Sequence, residues 1–247
     1  MRESCSIYSV MMRSRAVILT LVLLALTSGV FLPVLAAQGD AAGWYNSAQN
    51  LTEQKNYSAA LLAYDQAISL DPQFAEAWDG RADILNRVYA DTTTPYATLM
   101  LALNSSNQAL ALNASSATAW INHGLILYNI GYYYSEHNDQ ANATRYYNEQ
   151  LDAFDKAIAL EPDNTGALFN RGYALCGMGR CTEGLIDFQK VKSLDPSYPY
   201  IDGNIESAQK VAAKETPFYV KYAFEIVLGI IAVTGAALWY LAVRKKY

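Results

Sequence analysis

Reactive side chains are few in this 247-residue chain, and their spacing limits the chemistry that the chain can support. It contains two histidines, His123 and His137, and three cysteines. A catalytic or zinc site needs several such groups at a fixed spacing, and neither histidine lies within a recognised motif. The sequence also has no phosphate-binding glycine loop, nucleophile elbow or paired-histidine metal helix. We therefore expect a protein that is not an enzyme and that binds no metal or cofactor.

The most frequent chemical motif is the acceptor sequence for N-glycosylation, Asn-X-Ser/Thr. It occurs at Asn50, Asn56, Asn104, Asn113 and Asn142, which is more often than chance would give. Such an excess favours a glycoprotein made through a eukaryotic secretory route or in an archaeal envelope.

An uncharged stretch near the N-terminus predicts export from the cytoplasm. It follows two arginines, runs from Ala16 to Leu32, and ends in small residues at Ala36 and Ala37. This is the layout of a secretory signal, so we expect residues 1–37 to be a signal peptide. An uncleaved signal anchor is the alternative, because the apolar run nearly reaches the length that spans a bilayer.

A second apolar stretch, residues 222–243, is followed by a basic tail at 244–247. A helix of about 20 apolar residues crosses a bilayer. Basic residues stay on the cytoplasmic side, so this transmembrane helix would place the preceding segment outside the cytoplasm and the tail inside. Small residues in the span would let two copies pair, which makes a homo-oligomer one of the expected states. A sorting signal that is cut and replaced by another anchor is the alternative for this end.

Between the two ends, a pattern of about 34 residues recurs four times. Its end is marked by Leu70-Asp71-Pro72, Leu160-Glu161-Pro162 and Leu194-Asp195-Pro196, while the second unit ends in Ala114 instead of proline. Aligned on these positions, every unit has a large residue followed four positions later by a small one: Trp44 and Ala48, Trp78 and Ala82, Trp120 and Gly124, and Leu168 and Gly172. A large and a small residue at this helical spacing indicate two helices that cross closely.

This pattern resembles the tetratricopeptide repeat (TPR). The resemblance covers four units, at residues 41–74, 75–116, 117–164 and 165–198. It implies an all-α fold, a solenoid of helical hairpins, to which the C-terminal transmembrane helix would be added. Ser106 and Gln150 replace expected core residues. The second and third units exceed the family's length, so we expect longer helices or a protruding loop there. Amphipathic spacing after the fourth unit predicts a capping helix over residues 199–216.

The resemblance also implies a concave groove that binds proteins and is lined by the first helix of each hairpin. The residues at ligand-facing positions are Tyr45, Gln49, Asp79, Asp83, Arg87, Ile121, Leu125, Tyr128, Phe169 and Tyr173. This mixture suits a peptide or helix that carries apolar anchors and some positive charge. Helix packing is the alternative for Ile121, Leu125 and Phe169, and a solvated surface is the alternative for the two aspartates. The tyrosines at 132–134 form a second candidate surface.

The same alignment places Cys176 and Cys181 on either side of the turn in the fourth hairpin. A disulfide there would persist outside the cytoplasm, and two separately packed thiols are the alternative. The alignment also places Asn56 in the first hairpin turn and Asn142 in the insertion of the third unit, so we expect these two to be the best glycan acceptors. We expect Asn50 to be a poor one.

Acidic side chains dominate the segment between the two ends. Residues 38–221 contain 21 Asp and Glu against 12 Lys and Arg, a net charge of −9, whereas the whole chain has a net charge of −5. This acidity disfavours nucleic acid as a partner. The expected partners are other envelope or secreted proteins or peptides, with the membrane held through the C-terminal helix.

The sequence thus predicts a membrane-anchored, extracytoplasmic TPR protein that mediates protein–protein interactions as a scaffold or adaptor at the cell envelope. Two alternatives remain open. One is a structural surface glycoprotein, and the other is an assembly helper for a surface or secreted complex.

Overall fold

The computed structural model describes residues 39–215, which contain nine α-helices joined by short turns. In chain order they are α1 (Ala41–Glu53), α2 (Tyr57–Leu70), α3 (Ala75–Val88), α4 (Pro95–Leu112), α5 (Ala117–Glu136), α6 (Gln140–Leu160), α7 (Thr165–Gly177), α8 (Cys181–Leu194) and α9 (Ile201–Glu215). A short 3-10 helix, Tyr89–Asp91, precedes α4. No strand occurs in this range, and the all-α prediction is confirmed for it.

The predictions for the two ends of the chain lie outside the described residues. They concern the leader at 1–37 and the apolar span and tail at 222–247. None of the helices between residues 39 and 215 is both long and apolar enough to cross a bilayer.

Short polar side chains begin many of the helices. The following residues each accept a hydrogen bond from the backbone N–H three positions later, at 2.7–3.4 Å: Asp40, Asn56, Ser116, Asp139 and Asn164. Each bond satisfies a backbone donor that the first turn of a helix leaves open. At the other end, α2, α6 and α8 each end two residues before a proline, because the residue directly before a proline disfavours the helical conformation.

Two of the aligned tryptophans make the same hydrogen bond in different units. The indole Nε1–H of Trp78 donates to the carbonyl oxygen of Pro72 at 3.0 Å. That of Trp120 donates to the carbonyl oxygen of Ala114 at 2.9 Å. Each bond ties the first helix of a unit to the turn before it. The acceptor is a backbone oxygen, so the contact survives where the second unit has Ala114 in place of proline.

The chain divides into two compact units, one ending at Gly80 and the other beginning at Arg81. In the first unit, α1 packs against α2. Ala48, Ala60 and Ala67 are fully buried between them, and their small side chains let the helices approach closely. The ring of Tyr64 occupies the space beside Gly80, where a Cβ would collide with it.

In the second compact unit, helices α4 to α9 pack in chain order, each against the next. A Cβ on Gly124 of α5 would lie 2.6 Å from the ring of Phe154 on α6. A Cβ on Gly184 of α8 would lie 2.5 Å from the carbonyl oxygen of Gly172 on α7, so these helices meet backbone to backbone. The close crossings that the spacing predicted for Gly124 and Gly172 are therefore present.

The additional residues of the third unit lengthen its helices. The two helices of the third repeat, α5 and α6, contain 20 and 21 residues, and α4 of the second repeat contains 18. Tyrosines fill the added length. The hydroxyls of Tyr96 and Tyr134 lie 2.9 Å apart, and the ring of Tyr134 stacks on Tyr146 at 5.5 Å. Of the tyrosine run at 132–134, only Tyr132 is well exposed, so most of this second candidate surface is packing.

Polar groups interrupt the core of the second compact unit at several places. Ser106 is fully buried, and its Oγ lies 2.9 Å from Nδ1 of His123. Arg171 of α7 makes two bonds, at 2.7 and 2.8 Å, to the buried carboxylate of Asp187 on α8. Its remaining Nη donates to Asp155 on α6 at 2.6 Å. This arginine links three successive helices.

Candidate functional site

A cavity of about 470 Å³ lies in the second compact unit. It is bordered by the third hairpin (α5 and α6), the fourth hairpin (α7 and α8) and α9. Its volume falls within the range of small-molecule binding sites. None of the residues that line it carries a formal charge. They are Tyr128 of α5; Tyr147 and Gln150 of α6; Tyr173, Ala174, Cys176 and Gly177 of α7; Met178; Cys181 and Phe188 of α8; and Asn204, Ser207, Ala208 and Val211 of α9.

Three tyrosines from three helices form one side of this cavity. Tyr128 is 36% exposed and Tyr173 is 58% exposed, and the rings of Tyr128 and Tyr147 lie 6.0 Å apart. Burial, followed by the neighbouring phenols, raises the pKa of Tyr128. Burial likewise raises the pKa of Tyr147. These hydroxyls therefore stay neutral at physiological pH and can both donate and accept hydrogen bonds.

Gln150 is the buried polar group of the cavity. Its side chain is 5% exposed and lines the cavity wall. It makes no side-chain hydrogen bond to any residue between 39 and 215. The amide atoms themselves are not fully enclosed, so water in the cavity can reach them. They are therefore available for hydrogen bonds to a ligand that enters the cavity.

A disulfide forms part of the cavity wall. Cys176 near the end of α7 and Cys181 at the start of α8 are bonded, with their Cα atoms 4.1 Å apart. The turn between them uses Gly179 at φ +75°, a conformation that glycine adopts without strain. The bond fixes the end of α7 against α8, beside the groups that face the cavity.

Among the predicted groove residues, the structure brings Tyr128 and Tyr173 together in this cavity. The aliphatic ones are mainly packing: Ile121 and Leu125 lie against the buried cluster of Leu151, Phe154 and Leu175. Phe169 is also packed, with its ring 5.6 Å from Phe188 and 5.0 Å from Tyr198. The contacts of these three residues are therefore those of helix packing, the alternative to ligand contact.

Two of the polar residues predicted for α3, Asp83 and Arg87, are paired with each other. Arg87 donates to Asp83 at 2.8 Å along the helix. The amide nitrogen of Asn129 on α5 donates to Asn86 on α3 at 2.8 Å. A partner would have to compete with these bonds, so this stretch is a less available surface than the cavity.

The predicted residues Tyr45, Gln49 and Asp79 lie in the first compact unit. The amide nitrogen of Gln49 donates to the Tyr45 hydroxyl at 2.7 Å, and the Tyr45 ring lies 4.9 Å from that of Phe74. Burial raises the pKa of Tyr45, and the carboxylates of Glu76 and Asp79 add to the effect. Tyr45 and Gln49 thus form a small neutral patch on α1.

Four of the cavity's polar side chains are not among the predicted site residues: Tyr147, Gln150, Asn204 and Ser207. The sequence marks Gln150 only as a departure from the repeat pattern. Asn204 belongs to the capping helix, to which the repeat pattern assigns no ligand contact. The signal that could have found Gln150 is a long amide at a position where the other units have Ala60, Ala102 and Gly184.

The sequon asparagines differ in how free their amides are. Asn56 is exposed and uses only its Oδ1, which accepts from the N–H of Ala59 at 3.4 Å. Asn142 lies in the first turn of α6, and its Nδ2 donates to Asp139 at 2.7 Å while its Oδ1 accepts from Arg145 at 3.3 Å. A glycan is attached through Nδ2, so Asn56 is the better placed of the two.

The other three sequons lie on or beside helices. Asn50 and Asn104 are exposed, but the hydroxyl residue of the second, Ser106, is fully buried. Asn113 is half-buried and its Oδ1 accepts from the N–H of Ser115 at 3.1 Å.

A second, polar cavity of about 530 Å³ is bordered by ion pairs. Arg171 with Asp155 and Asp187, and Arg180 with Glu183, satisfy each other there at 2.6–2.8 Å. Within residues 39–215, no cluster of three or more His, Cys, Asp or Glu side chains could hold a metal ion. Most of the charged side chains at this cavity are thus engaged with one another.

Comparison with known proteins agrees with the geometry. Residues 41–74 match the model of the tetratricopeptide repeat family. Among solved structures, the chain is similar to TTC0263, a TPR protein of Thermus thermophilus, with a TM-score of 0.57 and 17% identity over 71% of this chain and 84% of that one.

Two further structures are similar to this chain. Pseudomonas aeruginosa pilF has a TM-score of 0.56 and 17% identity over 70% of this chain and 69% of that one. YrrB, described as a TPR protein with an unusual peptide-binding site, has a TM-score of 0.52 and 20% identity over 87% of this chain and 97% of that one. No curated protein matches the sequence. The chain thus has the fold of TPR proteins.

Proposed function

We propose that this chain, with its TPR fold, is an interaction protein that holds partner proteins at the cell envelope, acting as a scaffold or adaptor rather than as an enzyme. The observation that carries the proposal is the uncharged cavity in which Tyr128 and Tyr173 meet the unpaired amide of Gln150. Repeat folds present such surfaces on rigid helices, so that little ordering is required when a partner binds.

The comparison with YrrB supports peptide or protein binding as the mode of action. That protein is described as having a peptide-binding site, and its fold resembles this one over most of both chains. The likeness is one of fold, so the identity of the ligand has to come from this chain's own residues. The cavity is where those residues have unused hydrogen-bonding groups.

The proposed location is the outer side of a membrane. The apolar segments at both ends support it, since a leader at 1–37 and a span at 222–243 with a basic tail would leave the repeats outside the cytoplasm. The Cys176–Cys181 disulfide fits an oxidising compartment. Anchoring would confine the binding surface to the membrane and raise its effective concentration toward neighbouring proteins.

The binding function is tested by photo-crosslinking in intact membranes. A photoreactive residue is placed at Tyr128 in the cavity, and a control is placed at Ile186, which is 64% exposed on α8 and does not line the cavity. A discrete adduct from position 128 alone is the expected result and allows the partner to be identified by mass spectrometry. Equal, diffuse or absent labelling from both positions would refute binding at this surface.

The proposed location has its own test. Alkaline extraction of membranes should leave the chain in the pellet, and protease added outside intact cells should cleave the segment 39–215. Glycan occupancy is read from peptide masses, and we expect Asn56 to be modified more fully than Asn142 because only the latter uses its Nδ2 in a hydrogen bond. Extraction into the supernatant or protection from protease would refute the proposed location.

A structural surface glycoprotein is the second candidate, favoured by the exposure of Asn50, Asn56 and Asn104. It predicts a high copy number, several occupied sequons and no discrete adduct from Tyr128. An assembly helper would give the adduct from Tyr128 only while its client complex is being built.

A further inference from the structure

The chemistry of the cavity limits what can enter it. Its lining carries no formal charge, although residues 38–221 have a net charge of −9. A charged group placed there would lose its hydration without gaining an opposite charge, which is strongly unfavourable. The occupant is therefore neutral at the part that enters the cavity.

Gln150 adds a requirement for hydrogen bonding. Its amide offers a carbonyl oxygen and an NH₂ group, neither of which is paired within residues 39–215. A ligand that satisfies both must present a donor and an acceptor side by side. An extended peptide backbone offers both: its N–H can donate to the carbonyl oxygen of a Gln side chain, and its C=O can accept from the NH₂ group.

Aromatic surface continues from the cavity along α5. Tyr132, one turn beyond Tyr128, is 46% exposed and stacks on it at 6.5 Å. Tyr173 of α7, which also lines the cavity, is 58% exposed. An occupant that also contacts these rings must extend beyond the cavity, which favours a chain over a compact small molecule.

Apolar side chains also line the cavity, next to the polar Asn204 and Ser207 of α9. Ala208 and Val211 of α9 line it, and Val211 remains 43% exposed. Met178 and the disulfide border the same space. These apolar side chains suit one or two aliphatic side chains of the occupant, whose burial there is favourable.

From these observations we infer that the cavity binds an extended, uncharged segment of another protein, whose backbone pairs with Gln150 and whose aliphatic side chains lie between Tyr128, Tyr173 and Val211. The inference rests on the proposed function and adds to it the chemical class of the ligand. It differs from the sequence prediction, in which the groove residues suited a ligand with some positive charge. Both aspartates behind that prediction, Asp79 and Asp83, lie outside the cavity, and Asp83 is paired with Arg87.

The test uses the full chain in lipid nanodiscs and a phage-displayed library of random peptides as the probe. We expect the enriched peptides to share an uncharged, aliphatic core. The dissociation constant of a synthetic peptide with that core should rise about tenfold in Gln150→Met, because the peptide unit loses its partner. Val211→Asp should weaken binding at least as much by placing a carboxylate beside aliphatic groups.

The control is Gln108→Met, the same substitution on the exposed face of α4, which should leave the dissociation constant unchanged. Circular dichroism of all variants checks that each is folded. Enriched peptides that are charged, binding that is insensitive to Gln150 and Val211, or a library that yields no binder would each overturn the inference. The adduct from Tyr128 in intact membranes tests the proposed function separately. If the adduct forms while the peptide experiment fails, the binding function stands and this ligand class is wrong.

Discussion

Protonation of His123 should destabilise the protein as the pH falls. Its imidazole Nδ1 lies 2.9 Å from the buried Ser106 hydroxyl, and its ring meets Trp120 edge-on at 5.8 Å. The ammonium of Lys156 lies 4.2 Å from the centre of the same indole. A charge on the imidazole would be poorly solvated and would face a cation. Burial first, and then Lys156, lowers the pKa of His123 to about 4.

The sign and size of the effect follow from this shift. In the unfolded chain the imidazole takes up a proton near pH 6.5, whereas in the folded chain it does so only near pH 4. Between these values the unfolded chain binds the extra proton, so the free energy of unfolding decreases as the pH falls. The full loss is about 3 kcal/mol, and about 2 kcal/mol of it is already lost at about pH 5. Above about pH 7 the contribution of His123 is fully present.

The measurement compares the wild type with His123→Gln, since glutamine can bond to Ser106 but does not titrate. Urea unfolding of the full chain in detergent, followed by circular dichroism over a series of pH values, gives both free energies of unfolding. Their difference isolates His123 from the carboxylates, which titrate in both proteins. The chain has only one other histidine, His137, so the imidazole signals in a proton NMR titration are easily assigned by mutation. Parallel pH profiles for the two proteins, or a His123 imidazole that titrates above about pH 6 in the folded state, would refute the argument.

Three further predictions concern the second compact unit. Gly184→Ala should lower the free energy of unfolding by about 1–2 kcal/mol, because its Cβ would lie 2.5 Å from the Gly172 carbonyl oxygen. Gly203→Ala on α9, where a Cβ would meet nothing within 4 Å, should raise the free energy of unfolding by about 0.5–1 kcal/mol. Thermal unfolding of both variants distinguishes the two effects. Arg171→Met should lower the free energy of unfolding by about 3–5 kcal/mol, because it leaves the buried Asp187 carboxylate unpaired. Adding Asp187→Asn in a double-mutant cycle should recover much of this loss. A loss below about 1 kcal/mol for Arg171→Met alone would contradict the prediction. Cys176→Ser with Cys181→Ser should lower the free energy of unfolding by about 2 kcal/mol, and reducing agent should have the same effect on the wild type but none on the variant.

The helical framework follows from local signals in the sequence. A large residue followed four positions later by a small one predicts where helices cross, and Gly124 against Phe154 is such a crossing. Capping side chains and the prolines that follow α2, α6 and α8 set the ends of helices through contacts within a few residues. Because these signals are local, they identify hairpins even in the second repeat, which lacks the closing proline.

The availability of each site residue is a tertiary property, and the sequence alone could not supply it. Leu125 and Tyr128 both stand at ligand-facing positions of the repeat, yet Leu125 packs against the core while Tyr128 borders the cavity. The difference depends on which side chains of α6 and α7 lie opposite each of them. Likewise, Asp83 becomes less available because Arg87 pairs with it, which a list of groove positions does not reveal.

Gln150 connects the departure from the repeat pattern with the proposed binding function. The other units have alanine or glycine at this position, where a small side chain lets two helices meet. A glutamine there could have packed with its amide satisfied by a neighbouring helix, as Ser106 is by His123. Instead its amide borders the cavity without a partner in the described part of the chain, where water can reach it. A ligand that pairs with this amide replaces water with a direct hydrogen bond, so the residue that departs from the repeat pattern also supplies a binding group.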